Sequence, residues 1–194
     1  MLNIVLSGPP GAGKGTQSEK IVGQYQLIHI STGELFRKHI NEETPIGAQV
    51  KKYINEGQLV PDKFVMDMVE EKIKEHSHSK GLLFDGFPRT VAQAEMLDKK
   101  LTEYETSISG MITLTVPEEE LIQRIKQRRN MLGRIDDQKV ATRINVYLEE
   151  TLPVAAYYKS RGKLFNVNGV GAIEAVFARI TTAIDRLKTI DQAQ

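Results

Sequence analysis

Apolar residues along this chain come in short continuous runs separated by longer amphipathic stretches, the alternation that builds a parallel sheet with helices on its faces. The runs predict strands over Leu2 to Leu6, Leu27 to Ile30, Leu82 to Phe84, Gly110 to Val116 and Lys163 to Val167, hence an α/β domain around a five-stranded parallel sheet. Between the second and third runs, Ser31 to Lys80 is polar with helical spacing. It is broken at Thr44-Pro45 and at Val60-Pro61-Asp62, where proline suits a helix start, so several short helices are expected. Pro117-Glu118-Glu119-Glu120 opens a further helix, with acids facing the positive end of its dipole. After Asp137, Ile144, Tyr147, Leu148, Thr151, Leu152 and Ala155 recur at helical spacing, and Pro153 is expected to bend that helix. A last helix follows Gly171 and runs to about Leu187.

With 194 residues the chain makes one domain with small excursions, large enough to bury about 70% of the surface its unfolded form exposes. Its 26 basic and 25 acidic side chains leave a net charge of +1, so no whole-molecule field draws it to nucleic acid or an anionic membrane. The absence of cysteine removes disulfides, thiolate catalysis and cysteine-based zinc sites, and His29, His39, His76 and His78 stand at no convincing ligand spacing. No structural zinc is expected. The first apolar run stops at Gly8, too short for a secretion signal or a membrane span, and a cytoplasmic monomer is the expectation.

The chemistry starts where that run ends. Gly8-Pro9-Pro10-Gly11-Ala12-Gly13-Lys14-Gly15-Thr16 lies between a strand and a helix. Glycines there let the backbone curl and turn its N–H groups onto phosphate oxygens, and the helix adds its positive end. Lys14 supplies a mobile ammonium for the outer phosphates, and Thr16 a hydroxyl near where magnesium would sit. The generic pattern has Ser or Thr directly after the lysine, whereas Gly15 intervenes here. The bland alternative is a Gly-Pro turn with Lys14 as a solvated charge.

Gly81-Leu82-Leu83-Phe84-Asp85-Gly86-Phe87-Pro88-Arg89 is a second strand ending in a carboxylate and then an arginine. In a parallel sheet the carboxyl ends of strands share one edge, which brings Asp85 beside the phosphate loop, able to hold magnesium through water. Alternatively Asp85 caps the helix that begins near Thr90. Arg124, Arg128, Arg129, Arg134 and Arg143 fall within twenty positions. Arginine's planar fork grips two phosphate oxygens and keeps its charge, which suits a transition state whose charge is spread over a moving phosphoryl group. The acids Asp136, Asp137, Glu149 and Glu150 offer the competing reading of surface ion pairs.

Together Gly8 to Gln17, Ser31 to Arg37, Phe84 to Arg89 with Gln93, and Arg124 to Asp137 resemble the bacterial adenylate kinase family, and the likeness runs from Met1 to about Leu187. The resemblance implies a P-loop nucleoside triphosphate hydrolase-like core and magnesium-dependent transfer of the terminal phosphoryl of ATP to AMP, giving two ADP. It also implies a core of 1–30, 61–127 and 138–194, a flap of 31–60 over AMP and a lid of 128–137 over ATP. By the same likeness Gly11, Ala12, Gly13, Lys14, Gly15 and Thr16 line ATP, Arg124 lies beside its base, and the backbone of Gly171 meets its adenine. Arg128 clamps phosphate near that base. Arg37 and Arg89 grip the AMP phosphate. Thr32, Gln58, Leu59, Val60, Gly86, Phe87 and Pro88 shape the AMP pocket, Gln93 reads the adenine edge, and Arg134 and Arg143 close on the phosphates.

Only Asn130-Met131-Leu132 separates Arg129 from Gly133-Arg134, so the lid is the short form. The stretch Asp137 to Arg143 is also shorter than usual in the family. Arg143 stands four before Tyr147, the family's spacing, with Asn145 as the competing position. Rival functions are a UMP/CMP kinase, against which Thr32 argues, a GTP-type switch, whose guanine-reading Asn/Thr-Lys-x-Asp motif is absent, and a pure nucleotide-binding module.

Overall fold

The computed structural model describes residues 1–132 and 139–191, without the side chains at positions 129, 131, 132, 190 and 191. Five strands, β1 (Ile4–Ser7), β2 (Ile28–Ser31), β3 (Leu82–Asp85), β4 (Gly110–Thr115) and β5 (Leu164–Asn168), form one sheet in the order β2-β3-β1-β4-β5. Every pairing is parallel, and central Ile4 stands in register with Leu83 on one side and Gly110 on the other. β3 and β4 begin where hydrophobicity places them, and the other strand ends shift by a residue or two. Leu2 and Lys163 fall outside, whereas the polar Ser7, Ser31, Asp85 and Asn168 are inside. A parallel ladder continues as long as backbone groups pair, whatever side chain they carry.

The helices are α1 (Lys14–Tyr25), α2 (Thr32–Asn41), α3 (Pro45–Glu56), α4 (Asp62–Glu75), α5 (Val91–Glu103), α6 (Glu118–Leu132), α7 (Val140–Val146), α8 (Leu152–Lys159) and α9 (Ile173–Asp191). Side chains alternate across each strand, so the sheet feeds two cores. Val5, Ile30, Leu82, Phe84 and Met111 pack with Phe36, Val50, Val69, Leu97 and Tyr158. Ile4, Leu6, Leu83, Ile112 and Leu114 pack on the other face with Ile21, Leu121, Val176, Ile180 and Ile184. Both faces are covered, which is why the strands read as unbroken apolar runs.

Pro45 starts α3, as its rigid φ favours, and the Thr44 hydroxyl accepts the Gly47 N–H at 3.1 Å. A Cβ on Gly47 would lie 2.1 Å from His39 O, so its bareness lets α2 and α3 pack closely as a hairpin. The bend anticipated at Pro153 comes earlier and takes another form. A π-helical turn occupies Tyr147–Thr151, and Pro153 stands in the first turn of α8. Proline has no N–H for the carbonyl of Glu149, so the chain widens ahead of it and Leu152 N–H reaches back to Tyr147 O.

From β1 the chain crosses to β2 and β3 on one side and then to β4 and β5 on the other. A crevice opens at the carboxyl end of β1, where such a reversal places ligands. Among the described residues no helix is long and apolar enough to cross a membrane.

Candidate active site

Between the last residue of β1 and the first of α1 the chain makes a loop with three glycines at positive φ, Gly8 (147°), Gly11 (83°) and Gly13 (93°). A Cβ at Gly8 would lie 2.9 Å from Leu114 O, and one at Gly11 2.9 Å from Ile125 Cγ1 and Leu121 O. Crowding by the neighbouring strand and helix therefore demands glycine on two counts, strain and space. Gly13 precedes α1 without a side-chain cap, leaving the helix's first N–H groups uncovered by any side chain of their own cap. Gly15 differs from the others, since a Cβ there would touch nothing within 4 Å, and both it and Thr16 are exposed at the start of α1.

Lys14 bends back across this loop, its Nζ donating to Gly8 O (2.7 Å) and Pro9 O (3.1 Å). Burial pushes its ammonium down to about 8, against the pull of Asp85 and with help from the charges of Arg89, Arg143 and Arg128. The lysine thus sits among cations in a space shaped for anions.

Asp85, the last residue of β3, is buried and accepts a hydrogen bond from Ser18 Oγ at 3.3 Å. His29 Nε2 lies 3.4 Å from its Oδ2, a charge-pairing distance without an aligned hydrogen bond. Burial raises the Asp85 pKa, but His29, Lys14 and Arg89 outweigh it and hold the carboxyl below its ordinary value. Its carboxylate is therefore anionic beside Lys14. Helix capping, the alternative role for Asp85, belongs to Thr90, whose side chain accepts Gln93 N–H at 3.1 Å.

Lys14, Arg37, Arg89 and Arg143 line one cavity with Gly57, Tyr147 and the start of the phosphate loop. Gln58, Leu59, Gly86, Phe87 and Pro88 contribute to its wall. Gly86 stands at φ 73° where β3 gives way to the turn that carries Arg89. Its carbonyl accepts from Arg89 Nε (2.6 Å) and from Thr32 Oγ1 (3.0 Å), which fixes the arginine over the turn. The cavity continues into a recess bordered by Thr32, Phe36, Val60, Val65 and Gln93. Gln93 is nearly inaccessible, its Oε1 accepting Arg89 N–H (2.7 Å) and its Nε2 donating to Asp62 Oδ1 (2.6 Å). The carboxamide is thereby oriented, and it carries Arg89's backbone with it.

Across the phosphate loop, Arg124 donates to Ala12 O (3.4 Å) and Gly169 O (3.0 Å) and pairs with Glu120. It cross-links the loop to the segment after β5, where Gly171 sits at φ 111°.

Of the alternatives for the shortened stretch, Arg143 faces the Lys14 cavity, whereas Asn145 lines a separate groove with Gln58, Thr142, Glu149 and Glu150. Arg128 lies close enough for its charge to act on Lys14. Arg134, with positions 133–138, lies outside the described residues, as does half of the expected lid, 133–137. Among the described residues no three His, Asp or Glu converge on a metal position.

Sequence reasoning missed Gly57, Tyr147 and Ser18. Gly57 ends α3 at φ 73°, and a Cβ there would lie 2.9 Å from Arg143 Cγ and 3.2 Å from Lys139 Cβ. The glycine after an amphipathic helix was a readable C-cap signal, but its contact with α7 depends on tertiary packing. Tyr147, half-buried, lines the same cavity as Ser7 at the end of β1.

A family sequence pattern described as adenylate kinase matches residues 6–163. Curated relatives named adenylate kinase include that of Parabacteroides distasonis, 46% identical over 190 residues, covering 97% of this chain and 100% of the relative. Another, from Phocaeicola vulgatus, is 45% identical over 189 residues, 96% of this chain and 100% of the relative. That of Carboxydothermus hydrogenoformans is 41% identical across 95% of this chain and 100% of its own length.

Proposed function

This chain belongs to the adenylate kinase family, and from that premise we infer how its cavity performs the reaction that joins ATP and AMP to two ADP. The chain is an enzyme of the phosphotransferase class, moving the terminal phosphoryl of ATP to AMP. The observation that carries the assignment of the site is the convergence of Lys14, Arg37, Arg89 and Arg143 on one cavity at the carboxyl end of β1.

In this reading ATP lies along Gly11 to Thr16 with its base toward Arg124 and Gly171, and AMP occupies the recess by Thr32, Leu59, Val60 and Gln93. An oxygen of the AMP phosphate attacks the terminal phosphorus of ATP. The new O–P bond forms as the bond to the bridging oxygen breaks, and the departing electron pair stays on ADP. The attacking phosphate is already ionised, so no general base is needed. Arg37 and Arg89 hold the acceptor in line, while Lys14, Arg128 and Arg143 meet the charge that spreads over the moving group. Magnesium bound with ATP would supply charge neutralisation at the phosphates. The anionic, buried Asp85, through water, and the exposed Thr16 hydroxyl would hold it.

The α2–α3 hairpin within 31–60 is the acceptor flap and 128–137 the donor lid. Their closure excludes water, which would otherwise take the phosphoryl group. The proposal extends to a monomer at work in the cytoplasm, which sedimentation at the mass of one chain would support. Incubation with Mg-ATP and AMP, UMP, CMP or GMP in turn, followed by phosphorus NMR, tests the acceptor. ADP formation with AMP far above the other monophosphates is expected, and preferred formation of UDP or CDP would overturn the acceptor pocket described here.

A further inference from the structure

The segment joining β5 to α9 is held from two directions. From α6, Arg124 Nη2 donates to Gly169 O at 3.0 Å. From α9, the exposed Arg179 donates through Nη1 to both Asn168 O (2.7 Å) and Val170 O (2.8 Å). The Arg179 Nη2 also lies 3.8 Å from where a Gly171 Cβ would be. Asn168 Oδ1 closes the same turn by accepting Val170 N–H at 2.9 Å.

Gly169 and Gly171 have little stiffness of their own, since glycine leaves the backbone free to sample many conformations. A trans peptide unit directs its C=O and the following N–H to opposite sides. By holding Val170 C=O, Arg179 turns Gly171 N–H away from the guanidinium, and by holding Asn168 C=O it anchors the other side of Gly169. Two carbonyls held by one guanidinium nitrogen set the orientation of the intervening peptide planes.

We propose that Arg179 is a positioning residue for the donor base. It holds the Gly169 to Gly171 backbone in the conformation that meets the purine of ATP, and thereby sets donor selectivity. Adenine and guanine present opposite hydrogen-bonding polarity at the six-position, amino against carbonyl. A fixed array of backbone groups discriminates between them, and a loose one adapts to either. The inference rests on the reading that the ATP base lies at Gly171.

The test measures kcat and KM for ATP and for GTP at saturating AMP, KM for AMP, and Tm, in the full chain carrying Arg179→Ala, Arg179→Lys or Gly171→Ala. Loss of these tethers in Arg179→Ala is expected to raise KM for ATP about fivefold. The ATP-over-GTP ratio falls with it, at unchanged kcat and unchanged KM for AMP. Arg179→Lys, with a point charge in place of a planar fork, restores part of the ratio. If Gly171→Ala raises KM for ATP but Arg179→Ala leaves KM and the ratio at wild-type values, the donor base is where it is read and Arg179 has no part in holding it. If neither variant moves KM for ATP, the base lies elsewhere and both readings fall. A loss in Arg179→Ala spread equally over ATP, AMP and Tm also overturns the proposal, because it marks a residue that only stabilises α9.

Discussion

Lys14 combines an electrostatic task with an unfavourable setting, and both are measurable. Its Nζ already reaches two loop carbonyls and shares the cavity with three arginines. In the proposed mechanism its ammonium meets the transferring group, so replacing it by alanine removes a donor worth about 3 kcal/mol of barrier or roughly a hundredfold in rate. Steady-state turnover of Lys14→Ala should fall by at least that factor with an unchanged far-ultraviolet spectrum, and near-normal turnover would remove the phosphate role. Because the ammonium is depressed to about 8, it is charged below that pH and neutral above it. The free enzyme therefore loses its grip on phosphate as pH rises through about 8, and kcat/KM for ATP should decline there. Bound phosphates pull the ammonium back toward its ordinary value, so kcat should hold to higher pH. A flat kcat/KM up to about pH 10 would contradict the assigned environment. Arg37, on the acceptor side of the cavity, makes a separable prediction: Arg37→Ala should raise KM for AMP by tenfold or more while KM for ATP changes little. An unchanged AMP dependence would show the acceptor to be misplaced.

At the scale of elements, the strands and the phosphate loop were legible because local chemistry determines them. A run such as Ile4-Val5-Leu6 has no polar residue to expose, and three glycines in one loop have few explanations other than positive φ and close approach. Asp85 was placed correctly at a strand end, yet the choice between capping and a site role needed the structure, since Thr90 turned out to carry the cap. The π-helical turn at Tyr147–Thr151 was not readable, because proline announces a disturbance without saying on which side the helix absorbs it. Gly57 shows the same limit, as its partner Arg143 is far away in sequence. Asn3 is a further residue that no motif singles out. Buried at the start of β1, it accepts Leu82 N–H (3.1 Å) and donates to Thr106 Oγ1 (2.9 Å) and Ser107 O (3.0 Å), tying together the entries of three strands. Asn3→Leu leaves a buried N–H without its acceptor, so chemical denaturation should show a loss of about 1–3 kcal/mol. Activity of the folded fraction should stay intact, and wild-type stability would show that the knot contributes nothing.

For the whole molecule, the proposed closure acts on a cavity lined from two sides, by the α2–α3 hairpin and by α7. Gly57, at the end of α3, lies against the stem of Arg143, so the proposed closing of the hairpin would be felt by that cation. Gly57→Ala should hold this junction ajar and lower kcat several-fold. Part of the loss comes from strain at positive φ, so Gly57→Asn, which tolerates that backbone, separates the effects. Recovery in Gly57→Asn would assign the whole loss to the helix cap and none to the contact. If opening limits turnover, rapid mixing should reveal ADP formation in a first turnover faster than the steady state, and equal rates would remove that step.

The most direct measurement is a crystal structure with two adenosines joined by a polyphosphate. It should show the polyphosphate running through the cavity from the backbone N–H groups of the glycine loop, past Lys14 and Arg143, to Arg37 and Arg89, with one adenosine at Gly171 and the other by Thr32 and Gln93. A ligand bound elsewhere, or a polyphosphate chain touching none of those cations, would contradict the account.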